Sequence, residues 1–176
     1  MSEMRFVRWI IVGCILSSAH LIVSAQDRAA PPEPRKIDEF GDICCDSEMA
    51  RLDNYLNELQ RDPNTQAYIF YYGGRLYDSC WYGGKRPGKR RPRRGEAKAR
   101  VARIAPYLIK QRAFDPGRIV VLAGGYRESW TAELWIVPAG AKPPALTPTV
   151  QEKDIRYRKG KVAPREFYRQ CRYPGP

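Results

Sequence analysis

The sequence predicts a mixed α/β fold, an α+β sandwich with helices packed on one face of a mixed sheet. Three observations carry that expectation. Apolar residues recur at helical spacing in two stretches, near residues 47–61 and 96–111, while 67–72, 118–123 and 132–137 are short runs of strand composition. The two kinds of segment come in the order strand, helix, strand, helix, strand, strand, which implies right-handed crossovers and helices gathered on one side. This periodicity is confined to residues 36–138 of a 176-residue chain. The flanks read as a leader at 1–25, a proline-rich tether at 26–35 and a proline-rich, basic tail at 139–176.

Taken in order, residues 36–40 form a short candidate strand. Ser47 is expected to cap the first helix. Met49, Leu52, Tyr55, Leu56 and Leu59 then give it one apolar face, and Asp62-Pro63-Asn64 ends it. Residues 67–72, Ala-Tyr-Ile-Phe-Tyr-Tyr, read as a buried strand that Gly73-Gly74 should end. A polar insert occupies 75–94. Val101, Ile104, Ala105, Leu108 and Ile109 mark a second helix over 96–111, bent at Pro106, which has no amide hydrogen to donate. Asp115-Pro116-Gly117 makes a turn, and two strands follow at 118–123 and 132–137, with Gly124-Gly125 and residues 126–129 between them.

The N-terminus predicts export. Arg5 and Arg8 precede an apolar run, and Val23-Ser24-Ala25 puts small residues where a signal peptidase reads, so cleavage after Ala25 is expected. Ser17, Ser18 and His20 interrupt a run already shorter than the roughly 20 apolar residues of a membrane span. An uncleaved anchor and a lipoprotein cut before Cys14 are the alternatives. Export places the chain in the periplasm or outside the cell.

Outside the leader the chain has no histidine, which excludes serine–histidine and cysteine–histidine nucleophile pairs and histidine-ligated metal. The glycine pairs at 73–74, 83–84 and 124–125 lack the Gly-Lys-Ser/Thr of a phosphate loop. Asp42, Asp46 and Glu48 could form a carboxylate pair for glycan hydrolysis, but acids at a helix start are accounted for by its dipole. The expectation is a non-enzymatic chain with no cofactor and no metal.

Cys44, Cys45, Cys80 and Cys171 remain after the leader, an even number for an oxidising compartment. Adjacent cysteines rarely bond to each other, so Cys44 and Cys45 are expected to reach Cys80 and Cys171, in an order the sequence leaves open. Free or partly paired thiols are one alternative. A four-cysteine zinc site is another, poorly served by adjacent ligands. In a β-α-β unit the helix starts at the sheet edge where the next strand ends, which puts Cys44, Cys45 and Cys80 on one side, where open α/β sheets take their ligands.

Leu52-Asp53-Asn54-Tyr55-Leu56 with Asp62-Pro63, the run from Ala99 through Pro106 to Ile109, Phe114-Asp115-Pro116-Gly117-Arg118-Ile119 and Gly125-Tyr126-Arg127-Glu128 together resemble the OmpA-like C-terminal domain. The resemblance covers about residues 37–137. It implies a β-α-β-α-β-β domain of the periplasm that holds peptidoglycan without chemistry. In that family an aspartate after the second strand and an arginine in the following helix grip the diaminopimelate side chain. Arg100 matches the arginine; no aspartate stands at Gly73-Gly74, and Asp78 is the nearest substitute. The alternative for Arg100 is a charged residue on a solvated helix face.

The insert departs most from the family. Lys85, Arg86, Lys89, Arg90, Arg91, Arg93 and Arg94 put seven cations in ten residues, just after Trp81 and Tyr82. Such a run is extended unless it meets an anion. With a net charge of +12, the chain is drawn to acidic surfaces. Aromatics beside arginines can stack on bases, yet in an envelope the commoner polyanions are wall carboxylates, acidic lipids and phosphorylated polysaccharide, so nucleic acid is not the expected partner. Two readings follow: a peptidoglycan-binding module, or a disulfide-stabilised adaptor that docks acidic lipid, protein or polysaccharide through its basic loop. A solvated loop with no ligand is the alternative to both.

Overall fold

The computed structural model describes residues 32–77 and 88–162, all within one compact unit, Pro31–Pro176. Its elements are β1 (Arg35–Phe40), α1 (Cys45–Arg61), β2 (Thr65–Leu76), β3 (Arg93–Arg94), α2 (Glu96–Val101), α3 (Ile104–Pro106), β4 (Ile119–Ser129), β5 (Thr131–Pro138) and β6 (Arg158–Lys161). β1, β5, β2 and β4 make one mixed sheet in that order. β5 runs antiparallel to both β1 and β2, and β4 runs parallel to β2. The expected mixed α/β class and strand–helix order are therefore present.

Side-chain alternation along the strands decides which face takes the helices. Ala67 and Ile69 of β2 and Ala132, Leu134 and Ile136 of β5 face one way and bury against Leu52, Tyr55, Leu56 and Leu59 of α1. Val101, Ile104, Tyr107 and Leu108 join the same core. Tyr55 sits fully buried with its hydroxyl donating to the carbonyl of Trp135 at 2.7 Å, so the helix is keyed to the sheet backbone. The opposite face carries Tyr68, Phe70, Tyr72, Glu133 and Trp135.

Several local expectations are corrected. α1 begins at Cys45 with Cys44 as its extended N-cap, and no side chain caps it; Ser47 lies inside the first turn. β2 does not stop at Gly73-Gly74 but runs through both, because β4 continues beside it and pairs Gly73 with Tyr126 and Gly74 with Arg127. Glycine is required there by close approach: a Cβ on Gly74 would stand 2.3 Å from the backbone nitrogen of Trp130. For the same reason β4 includes residues 124–129, read from sequence as a connection. Gly125, at a φ of +89°, absorbs the register shift.

The second helix is interrupted in its hydrogen bonds. Pro106 has no hydrogen for the carbonyl of Ala102, so Ala102 and Arg103 form a turn that keeps right-handed helical dihedrals between α2 and α3, and a π-turn, Tyr107–Gln111, follows. The stretch read as a tail is also part of the fold as far as Val162. Val150 bridges to Tyr126, Ile155 and Val162 are buried, and β6 pairs in parallel with β3. Asp78, Cys80, Trp81, Tyr82, Lys85, Arg86 and Cys171, and the leader and most of the tether, lie outside the described residues.

Candidate functional site

Arg100, carried over from the resemblance as a ligand-gripping residue, is buried, with 4% of its side chain exposed. It pairs with Asp42 from the loop before α1, and its Nη2 lies 3.2 Å from Glu96. Its guanidinium lies 4.6 Å from the Tyr77 ring and 5.8 Å from the Trp130 ring. A carboxylate does stand on this arginine, but it comes from 58 residues earlier in the chain and not from the end of β2. The solvated-face alternative is likewise not what is seen.

Around Arg100 the charges balance. Glu96, fully buried on α2, accepts from the Arg93 amide at 2.9 Å and pairs with Arg90 at 2.8 Å, while Glu48 on α1 pairs with Arg103. Burial raises the pKa of Asp42 and of Glu48 against the pull of their arginines. Burial also opposes the charged form of Glu96, but the hydrogen bonds from Arg90 and the Arg93 amide outweigh it and hold its pKa low. Three carboxylates thus meet Arg90, Arg100 and Arg103 in one cluster that ties the start of α1 to the end of β2. Asp42 and Glu48, weighed from sequence as a hydrolytic pair, each sit against an arginine, and Asp46 is exposed. Cys44 and Cys45 open α1 beside this cluster.

A cleft of about 200 Å³ opens next to the cluster. Gly73 and Gly74 and the backbone near Gly95 line it, together with the rings of Tyr71, Tyr77, Tyr126 and Tyr157. Tyr126 and Tyr157 share a hydrogen bond of 2.9 Å, and Tyr126 also donates to Glu152 at 3.1 Å. Those contacts fasten residues 150–157 to the sheet.

Beyond the cleft the basic residues gather. The β3–β6 pairing sets Arg93 against Arg158 and Arg94 against Lys161, with Arg158 donating to the Pro92 carbonyl at 2.9 Å. Arg94 stacks on the Tyr157 ring at 4.7 Å. Two shallow hollows flank this ribbon, one of about 510 Å³ with Arg75, Arg91, Lys153 and Arg156, the other of about 520 Å³ with Arg94, Arg158, Lys159 and Lys161. Sequence reasoning marked Arg91, Arg93 and Arg94 but missed Lys153, Arg156, Arg158, Lys159 and Lys161. A second basic stretch was legible in the tail, whereas its pairing with the insert was not.

The ridge differs electrostatically from the rest of the domain. Elsewhere most arginines find carboxylates: Arg35 and Arg61 on Glu58, Arg51 on Asp38, Arg112 on Asp53, Arg127 on Glu133, while Arg118 bonds backbone carbonyls. Arg91, Arg94, Lys153, Arg156, Arg158, Lys159 and Lys161 are all exposed, and none has an ion-pair partner among the described residues. No family model matches the chain and no curated protein matches it.

Proposed function

We propose that the chain is an exported, non-enzymatic module of the cell envelope that docks on anionic surface material through the β3–β6 ridge. The observation that carries this reading is the contrast just described: seven exposed cations without a carboxylate partner among the described residues, four of them on the β3–β6 ribbon and three beside it, in a domain that pairs most of its other arginines. Opposite charge at such a surface raises encounter rate and is screened by salt. The strand–helix order supports the OmpA-like resemblance, and with it an envelope setting. The enclosure of Arg100 by Asp42, Glu96, Tyr77 and Trp130 favours the docking reading over a diaminopimelate grip, since a ligand would have to displace a buried ion pair.

The test is cosedimentation with protein-free peptidoglycan and with phosphatidylglycerol vesicles, at low salt and at about 0.5 M. The protein should bind at low salt and release at high salt. A variant with Arg156, Arg158, Lys159 and Lys161 changed to glutamine should lose most of that binding. Salt-resistant retention on peptidoglycan that diaminopimelate peptides compete away would reject the reading.

A further inference from the structure

The two edges of the main sheet are built differently. β1 carries Arg35, Lys36, Asp38 and Glu39 and a register break between Lys36 and Asp38, the devices by which an edge strand avoids pairing with other chains. β4, the opposite edge, reads Ile-Val-Val-Leu-Ala from 119 to 123 without a charge. Its register against β2 is regular over that stretch, and the break comes only after Ala123. Val121 and Leu122 are more than a third exposed. The Ile119 amide closes the preceding turn on the Pro116 carbonyl; from Val120 to Ala123 the backbone bonds to β2 and to no other described segment, and the next outer contact is at Tyr126, whose carbonyl receives the amides of Thr149 and Val150.

We propose that this edge pairs antiparallel with the same edge of a second copy, about a two-fold axis at Val121. Self-pairing fits the limits of the open stretch, bounded by the turn Pro116–Arg118 on one side and by the Val150 bridge on the other. With Val121 at the centre, Ile119 faces Ala123 of the second copy and Val120 faces Leu122, so every facing pair is apolar. The cations that bracket the strand do not guard it, because both turn inward. Arg118 donates to the carbonyls of Leu59, Asp62 and Thr65 at 2.9–3.0 Å. Arg127 donates to Glu133 at 2.7 Å and to Thr147 at 2.6 Å. A closed two-fold contact of this kind uses up the β4 edge on both copies and leaves at the ends of the joined sheet only the charged, irregular β1 edges, which do not propagate it.

Five residues a side make a small interface, so association belongs in the range of about 10 µM to 1 mM. Net charge of +12 on each copy opposes it, and added salt should therefore strengthen the pair, the reverse of its effect on ridge docking. The experiment is sedimentation equilibrium of the protein across that concentration range, at low and at about 0.5 M salt. Hydrogen exchange of the 119–123 amides is followed at both ends of the range. Expected are a monomer–dimer equilibrium tightened by salt, protection of those amides that rises with concentration, and at least about tenfold weaker association in Val121→Lys with an unchanged urea midpoint. A monomer throughout would overturn the proposal. So would a dimer indifferent to Val121→Lys whose 119–123 amides exchange at the same rate when dilute and concentrated. Either result leaves ridge docking standing, and failure of ridge docking leaves this result standing.

Discussion

Glu133 is the point at which the second face of the sheet is most exposed to a single substitution. It lies on β5 with 2% of its side chain accessible and accepts from Lys36 at 3.0 Å, Arg127 at 2.7 Å and the Trp135 indole at 2.9 Å. Burial alone would raise its pKa, but the indole, Lys36 and Arg127 together pull it down to about 2. Against an ordinary glutamate value near 4.5 this corresponds to an upper limit of about 3 kcal/mol of folding free energy. Lys36 is 36% exposed, so water screens the pair and about 1–2 kcal/mol is the fairer figure. Because the folded pKa is the lower one, this stability is present above about pH 4.5 and is lost as pH falls toward 2. In Glu133→Gln the charge goes and one amide hydrogen-bond donor is set among existing donors, for a total loss of about 2–3 kcal/mol at pH 7. Urea titrations followed by tryptophan fluorescence at pH 7 and near pH 2.5 read the gap between the two proteins. The gap should shrink by about 1–2 kcal/mol at the acid end. A gap that stays constant with pH would refute the assignment of this stability to the Glu133 charge.

Other substitutions probe the remaining parts. Arg100→Ala strands Asp42 in a buried setting and takes one of its partners from Glu96, which keeps Arg90 and the Arg93 amide, and should cost about 3–5 kcal/mol by urea denaturation. Binding of the still-folded fraction to anionic vesicles should be unchanged, and a selective loss of binding would contradict the structural role. Gly74→Ala drives a Cβ into backbone at 2.3 and 2.4 Å and should cost about 2–4 kcal/mol, measured the same way. Tyr55→Phe removes the hydroxyl that holds the Trp135 carbonyl and should cost about 1 kcal/mol; no change would mean that water replaces it. If Cys80 and Cys171 are the partners of Cys44 and Cys45, peptide mapping without reduction should recover both cross-links. Reduction should then lower the urea midpoint.

The periodic parts of the fold were legible because their cause is local. Met49, Leu52, Tyr55, Leu56 and Leu59 repeat at three and four residues whatever they pack on, and 67–72 has strand composition from end to end. Gly73-Gly74 misled because a glycine pair most often marks a turn, whereas here the missing side chains admit the Tyr126 ring and the Trp130 backbone. Pro106 announced a defect in the helix without saying that the chain would keep its helical dihedrals and run on into a π-turn. At the site, the basic composition was plain in the sequence. Two pairings that define the site were not, because each depends on contact over a long separation: Asp42 on Arg100, and β3 on β6. The resemblance located Arg100 on its helix but could not show that this chain closes it off with its own carboxylates.

Ridge docking is the central claim, and a binding isotherm to phosphatidylglycerol vesicles tests it most directly, with the protein and its Arg156, Arg158, Lys159 and Lys161 glutamine variant compared across a salt series. The account predicts an affinity that falls steeply with salt and drops by at least about tenfold, roughly 1.4 kcal/mol, in the variant. Equal affinity for the two proteins at every salt concentration would contradict it.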